Sequence, residues 1–441
     1  MPKATYHFPK GFLWGTATAS HQVEGNNTNN NWYRWEQEGN TAHKSGLACD
    51  WWGGRWKEDM DRAAETGQNT HRFSIEWSRV QPTPDRWDED AIDRYRAMAR
   101  GMTERGLMPM VTLHHFTDPL WLFEKNAWET DYPLAYFEKY VRKMVEALKE
   151  YVSTWVTINE PNVYSLSGYV AGDFPTAHKG LNVASRVMAN LLRGHALAYR
   201  NIHQIQREAR VGYALHYRPM VAARSWFPLD ALMRNIQYNG INMAFPSAIS
   251  TGAMKSPLGS VSVPEAKGTQ DFLGLNYYSV DTVKFDLLNI KELFGKRYYP
   301  ANSDFSATKF IANIPHGLYD SVKWATSTYP SLPILITENG VEDHEDKMRP
   351  RYIAGHIHQL WRAVNFNWPV KGYYHWSLVD NFEWERGWTQ RFGLWGLDTE
   401  TQVRIRRPSV DLYAEICREN GLSSEMVSKY CPEVLADIFP E

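Results

Sequence analysis

Two stretches of the chain carry an apolar run to its end and stop it on a carboxylate. In "WVTINEPN" (155–162), Val156 and Ile158 lead into Asn159, Glu160 and Pro161; in "PILITENG" (333–340), the run ends on Glu338, Asn339 and Gly340. One such glutamate is most simply a salt-bridge partner for a nearby loop. Two of them, each beside an asparagine, suit acetal cleavage, in which a pair of carboxyl groups flanks a glycosidic bond. Metal-assisted chemistry is the competing use, but no HExxH or comparable ligand spacing accompanies the pair. His356 and His358 stand two residues apart in a helical pattern and face apart, while the adjacent His114 and His115 point to opposite sides of a strand. The reading assigns no metal and no other cofactor.

For Glu160 and Glu338 to meet one substrate, the fold must bring their strand ends together. Short apolar runs near 11–16, 70–76, 108–114, 154–159, 211–216, 272–278, 333–338 and 371–377 read as strands, several of them near-continuously apolar as parallel strands covered on both faces should be. Amphipathic stretches at 56–67, 88–106, 131–151, 184–209, 317–329 and 349–366 read as helices. The second begins with acids and ends in Arg-Gly, matching the helix dipole and a glycine stop. Eight strands alternating with helical sequence predict an α/β fold, a single closed (β/α)8 TIM barrel with elaborated βα loops, over residues 1–441 as one catalytic domain. Irregular stretches at 16–55, 216–230, 248–270, 284–316 and 378–405 follow strands and supply the loops at the carboxyl end, where sites of this fold are built. Glu160 then ends strand 4, Glu338 ends strand 7, and both face one bowl.

Composition narrows the partners. The 441 residues are 43% hydrophobic and 22% charged, with a net charge of -2, which gives no electrostatic reason to expect nucleic acid or an anionic lipid surface. No uncharged apolar run reaches the roughly 18 residues of a spanning helix, and "MPKATYHFPKGFLWG" does not read as a signal peptide. Three scattered cysteines, Cys49, Cys417 and Cys431, suit a reduced cytoplasmic chain. Small molecules are the expected partners, with no nucleic acid and no membrane; assembly into a homo-oligomer stays open. The aromatic share, 14% with 19 Trp, exceeds what packing alone asks for and suggests flat platforms against ligand faces.

Seven motifs in order, "FLWGTATASHQVEG" (12–25), "HRFSIEWSR" (71–79), "TLHHF" (112–116), "TINEPN" (157–162), "DFLGLNYYS" (271–279), "ITENG" (336–340) and "HWSLVDNFEWERGWTQRFGL" (375–394), carry a resemblance to the family 1 glycoside hydrolases, β-glucosidase-like enzymes, from about Phe8 to Pro408. The resemblance implies a retaining β-glycosidase acting on β-D-glucosides, and on galactosides or fucosides, with Glu160 as acid/base and Glu338 as nucleophile. Carried over residue by residue, it places Gln22, His115, Asn159, Glu383 and Trp384 around the sugar hydroxyls and Trp376 beneath the ring as a stacking floor. Such an enzyme holds its carboxyl groups about 5–5.5 Å apart. Glu338 must be ionised at rest, with Arg72 beside it, Tyr278 steadying it and Asn276 adding electrostatic support. Glu160 must start protonated, which burial near a second negative charge favours. Asn159 is expected to meet the sugar 2-OH, Tyr277 to face away from the bowl, and Asp380 and Asn381 to fix their loop.

The resemblance also discriminates. Glu383 stands where phosphosugar-specific relatives carry a small residue, so a free sugar is expected; Glu160 is retained where thioglucoside-splitting relatives carry glutamine, so an oxygen leaving group is expected. Both glutamates stand, which speaks against a carbohydrate-binding barrel without catalysis; transfer of the glycosyl group to an acceptor other than water uses the same intermediate. On the leaving-group side the chain departs from the pattern: Phe116 replaces a usual Trp, and "FIAN" (310–313) lacks the common tryptophan platform. Trp324 and Trp388 are candidates to replace it.

Overall fold

The computed structural model describes residues 3–176, 178–256, 259–289 and 294–440. Eight strands form its centre: β1 (Leu13–Ala17), β2 (Thr70–Ser74), β3 (Met108–His114), β4 (Thr154–Asn159), β5 (Arg210–His216), β6 (Phe272–Asn276), β7 (Ile334–Asn339) and β8 (Val370–Trp376). Each pairs in parallel with its neighbours, and β8 closes onto β1 to complete the barrel. Residues of β2, β4, β6 and β7 are buried throughout, because helices cover the outside while side chains fill the inside.

The covering helices follow their strands in order: α1 (Trp56–Glu65), α2 (Glu89–Glu104), α3 (Tyr132–Leu148), α4 (Leu181–Ile205), α5 (Ala244–Thr251), α6 (His316–Thr328), α7 (Arg349–Asn365) and α8 (Pro408–Glu419). Local chemistry sets several starts. Asp88 accepts from the Ala91 N–H at the head of α2, and prolines occupy the first turn of α3, α7 and α8. The loops are more regular than the sequence suggests. The β5–β6 connection, read as irregular at 216–230 and 248–270, carries helix Pro228–Asn242, α5 and a hairpin of Ala253–Ser256 with Gly259–Ser262. Met220–Ala222, Asp281–Phe285 and Gly295–Tyr298 add a small three-stranded sheet outside the barrel. These pieces are short and pack on one another, so their periodicity is weak. Among the described residues no helix is long and apolar enough to cross a membrane.

Candidate active site

At the carboxyl ends of β4 and β7 the ladder is irregular: register shifts fall between Val156 and Asn159 and between Ile336 and Asn339. Such bulges re-aim a side chain at the rim of a barrel. Glu160 takes φ 44°, ψ 56°, a left-handed conformation uncommon for a side-chain-bearing residue, as the chain turns from β4 into Pro161. After Glu338, strand alternation turns Asn339 outward, where its amide donates to the Tyr277 carbonyl and the Tyr352 hydroxyl at 2.8 and 2.9 Å. Gly340 follows because a Cβ there would stand 1.9 Å from the Trp376 carbonyl oxygen. The Glu-Asn-Gly order is thus one residue inward, one anchored outward, and one without a side chain where β8 passes close.

Glu338 and Glu160 are both buried, 3% and 6% exposed. Arg72, fully buried in the middle of β2, donates to Glu338 Oε1 at 2.6 Å, and the Tyr278 hydroxyl donates to Glu338 Oε2 at 2.7 Å. Asn159 Oδ1 is the hub of the arrangement, accepting from Arg72 Nη2 at 2.6 Å and from Asn276 Nδ2 at 3.1 Å. Asn276 also donates to Glu160 Oε1 at 2.8 Å and is itself oriented by the Thr337 hydroxyl. Two carboxylates far apart in sequence are thereby held by one continuous set of donors.

The surroundings pull on the two carboxyl groups in opposite directions. Burial and the negative Glu160 push Glu338 up to about 7, against the pull of Arg72 and Tyr278. Burial also pushes Glu160 up, but His216, with Nδ1 3.2 Å from Glu160 Oε1, and the Asn276 amide outweigh it and bring Glu160 below the ordinary carboxylate value. These pulls run against the resting order that the chemistry needs, Glu160 protonated and Glu338 ionised. Two buried carboxyl groups this close titrate as a coupled pair, and His216 acts on its Glu160 member. His216 was missed, although it ends the apolar run of strand 5 and so had the same signal as the glutamates.

The remaining expected residues line the same bowl. Gln22 Nε2 donates to Glu383 Oε2 at 3.1 Å, to Asn381 Oδ1 at 3.0 Å and to the Phe382 carbonyl at 2.7 Å, which leaves its buried Oε1 without a protein partner. Asn159 Nδ2 donates to His115 Nε2 at 3.1 Å, so the ring proton is assigned to Nδ1, which has no protein partner. Burial and the Arg72 charge hold His115 well below the usual histidine value, and it is neutral. Its ring stacks between Trp376 and Trp384, each with centroids 6.0 Å away. Glu383 is pushed well above the usual carboxylate range, by burial first and then by the charges of Glu385 and Glu338. That shift favours the neutral acid and so weakens the repulsion of a phosphate expected from its charge.

His114 turns away to Asp118, and the Tyr277 hydroxyl reaches the Ile314 carbonyl outside the bowl, both as strand alternation requires. Asp380 is gripped by Arg407 at 2.7 and 2.9 Å and Asn381 donates to Ser377 Oγ, so both fix their loop. The proposed replacement platforms lie elsewhere: Trp324 stacks on Tyr217 at 4.1 Å, and Trp388 packs on Phe382. Phe116 is buried against Phe174 and Trp384. Phe174, Tyr299, Phe310 and Phe392 also line the bowl, with the Arg386 guanidinium 4.4 Å over Phe310. The segment "FIAN" thus contributes a phenylalanine where a tryptophan was looked for.

Residues 4–422 match the family model described as Glycosyl hydrolase family 1. Beta-glucosidase A of Thermotoga maritima is 31% identical over 447 residues, covering 94% of this chain and 98% of the relative. Cytosolic beta-glucosidase of Homo sapiens is 29% identical, covering 95% and 100%. Among solved structures, a beta-glycosidase from Pyrococcus horikoshii matches with a TM-score of 0.90 and 34% identity over 97% of this chain and 98% of that one. Beta-glucosidase from Thermotoga maritima in complex with glucoimidazole matches with a TM-score of 0.88 and 30% identity over 95% and 100%.

Proposed function

Given that the chain belongs to glycosyl hydrolase family 1 and is a retaining β-glycosidase, we propose that it removes terminal non-reducing β-D-glucosyl residues, and β-D-galactosyl or fucosyl residues, with Glu338 as nucleophile and Glu160 as acid/base. The observation that carries this reading is the buried carboxylate pair joined through Arg72, Asn159 and Asn276. Glu338 attacks the anomeric carbon while Glu160 passes its proton to the departing oxygen; the C1–O bond to the leaving group breaks as the bond to Glu338 forms. Water then gives its proton to Glu160 and attacks C1, releasing Glu338. The productive distribution has the shared proton on Glu160. Arg72 and Tyr278, both donors to Glu338, stabilise its anion, and His216 Nδ1 stands 3.2 Å from Glu160 Oε1.

The sugar end follows from the same network. Asn159 retains an amide hydrogen for the 2-OH, the contact that strengthens as the oxocarbenium ion develops. Gln22 Oε1 and His115 Nδ1 supply an acceptor and a donor for further hydroxyls, Glu383 and Trp384 close the far end, and Trp376 covers the apolar ring face. A free sugar suits a pocket end without a paired cation for phosphate. We read residues 1–441 as one catalytic domain. The three buried, unpaired cysteines support a cytoplasmic location. The test is the anomer released first from an aryl β-glucoside, followed by proton NMR. β-Glucose appearing before mutarotation is expected, and α-glucose first would overturn the assignment of Glu338 as nucleophile.

A further inference from the structure

One oxygen of Glu160 is held from two strands at once. Asn276, at the end of β6, donates its amide to Oε1 at 2.8 Å, and His216, at the end of β5, brings Nδ1 within 3.2 Å of the same oxygen. The two residues are register partners on adjacent strands, so their reach toward Glu160 is set by the barrel and not by a loop. Each backbone is fixed in turn. The His216 carbonyl accepts from Asn162 Nδ2 at 2.8 Å, and the Tyr217 N–H donates to the Asn276 carbonyl at 3.0 Å. The Glu160 N–H donates to the Ala214 carbonyl at 2.8 Å, and the imidazole leans on the Tyr278 ring, centroids 5.6 Å apart. Both side-chain contacts fall on Oε1, which leaves Oε2 to the bowl that Glu160 lines.

The two holders are not equivalent. Asn276 spends both amide hydrogens, on Glu160 and on Asn159, and an amide carries no charge. An imidazole can. Around it stand Glu160 from the turn after β4, Tyr278 and Asp281 from the segment after β6, and Arg218 on its own segment, with Arg72 and Glu338 beyond Glu160. Arg218 takes Asp281 in a two-pronged pair at 2.7 and 2.8 Å, and Arg297 acts on the same carboxylate, so Asp281 is matched without the histidine. Arg72 serves Glu338 in the same way. Glu160 is the carboxyl group left to His216.

We propose that His216 is the positioning residue of the acid/base: with Asn276 it keeps Oε1 occupied, so that Oε2 carries the transferable proton in both half-reactions. Its charge also steadies the carboxylate that exists between them. The Oε2–H bond breaks as the proton passes to the departing oxygen and re-forms when water supplies another, while His216 keeps its own proton throughout. The inference rests on the reading of Glu160 above and adds what holds and tunes it. Burial pushes Glu160 up, and His216 is the first of the groups that bring it down, in keeping with that role. A carboxyl group held by a single donor is free to turn and exchange its oxygens, which misplaces the base in the step that has no leaving group to hold it.

The experiment follows kcat/KM against pH for methyl and dinitrophenyl β-glucosides in wild type and two variants. His216→Phe keeps a flat ring without donor or charge; His216→Asn keeps a donor without charge. The basic limb of kcat/KM reports loss of the acid's proton in the free enzyme. Losing a positive neighbour makes Glu160 harder to ionise, so with methyl glucoside the limb should move toward alkali by about one pH unit in both variants. At the wild-type optimum, His216→Phe should cost methyl glucoside about tenfold or more, and dinitrophenyl glucoside, which departs without protonation, less than about threefold. His216→Asn should recover most of that loss while keeping the displaced limb. In a Glu160→Gln background, His216→Phe should change methyl glucoside less than about twofold, because the group it acts through is gone. A limb that stays put in both variants, an equal loss on both substrates, or an undiminished cost in the Glu160→Gln background overturns the proposal. If the phenylalanine variant fails to fold, the limb of His216→Asn decides alone. Failure of the glycosidase reading shows separately, as a wild type inactive on both glucosides or a Glu160→Gln variant that spares methyl glucoside.

Discussion

The two ends of the pocket are built on different principles. At the sugar end every polar side chain is already spoken for by another: Gln22 by Asn381 and Glu383, Asn159 by Arg72, Asn276 and His115, and His115 by two tryptophan faces. Each then has one specific valence left to offer, an Oε1 here and an Nδ1–H there. Such pre-organisation costs nothing further on binding and rejects a ligand that leaves the valence unmet. The opposite end, which we read as the leaving-group side, is made of aromatic residues, Phe174, Tyr299, Phe310 and Phe392. On that reading it selects by surface, which discriminates weakly between one apolar group and another. The proposed lesson is that one site can be strict about the sugar and permissive about what the sugar is attached to.

Substitutions at the two ends and between them sharpen that contrast. Removing the nucleophile should make both ends irrelevant. Glu338→Ala is expected to lose about 10⁴-fold or more in kcat on every substrate, as for groups that act as a unit, and azide should restore turnover of a dinitrophenyl glucoside with inverted product. Wild-type rates in the alanine variant would remove the mechanism altogether.

Glu160→Gln should divide substrates by leaving group. Alkyl glucosides, which need protonation, should lose about 10²–10⁴-fold, while dinitrophenyl glucoside loses far less in the glycosylation step. The same variant carries a pH signature. Burial and the Glu160 charge raise Glu338 to about 7; a neutral amide removes the charge, so Glu338 ionises at lower pH. The acid limb of the dinitrophenyl glucoside profile should then move toward acid. An unmoved limb would mean that the two carboxylates do not sense each other.

Glu383→Ala probes the strict end. Losing a partner for sugar hydroxyls should cost about 10–100-fold in kcat/KM, equally for aryl and alkyl glucosides. A cost that varies with the aglycone would place Glu383 on the wrong side of the comparison. The smallest effect is expected at the permissive end. Phe310→Ala removes one aromatic wall and should lower kcat/KM for aryl glucosides about two- to tenfold, with methyl glucoside unaffected. A loss of the same size for methyl glucoside would show that Phe310 supports the sugar.

Much of this was legible before any coordinates. The period-two rule set His114 and His115 on opposite faces and turned Tyr277 outward, the family resemblance put His115 and Tyr278 in the bowl, and the strand-end glutamates pointed to the chemistry; the structure joins these inward groups into one network. These are local properties, fixed by the alternation of a strand and by what a short apolar run can bury. Contacts between the ends of different strands and loops were beyond that reach. His216 meets Glu160 only because the barrel closes β5 beside β4, and that contact draws Glu160 down against the effect of its burial. Trp324 and Trp388 had the right residue type for a platform, but the packing of their loops directs them to Tyr217 and Phe382. A second cavity, of about 430 Å³ between the helices that follow β4 and β5, belongs wholly to tertiary structure. A void between two elements leaves no mark in the periodicity of either, because each satisfies its own backbone.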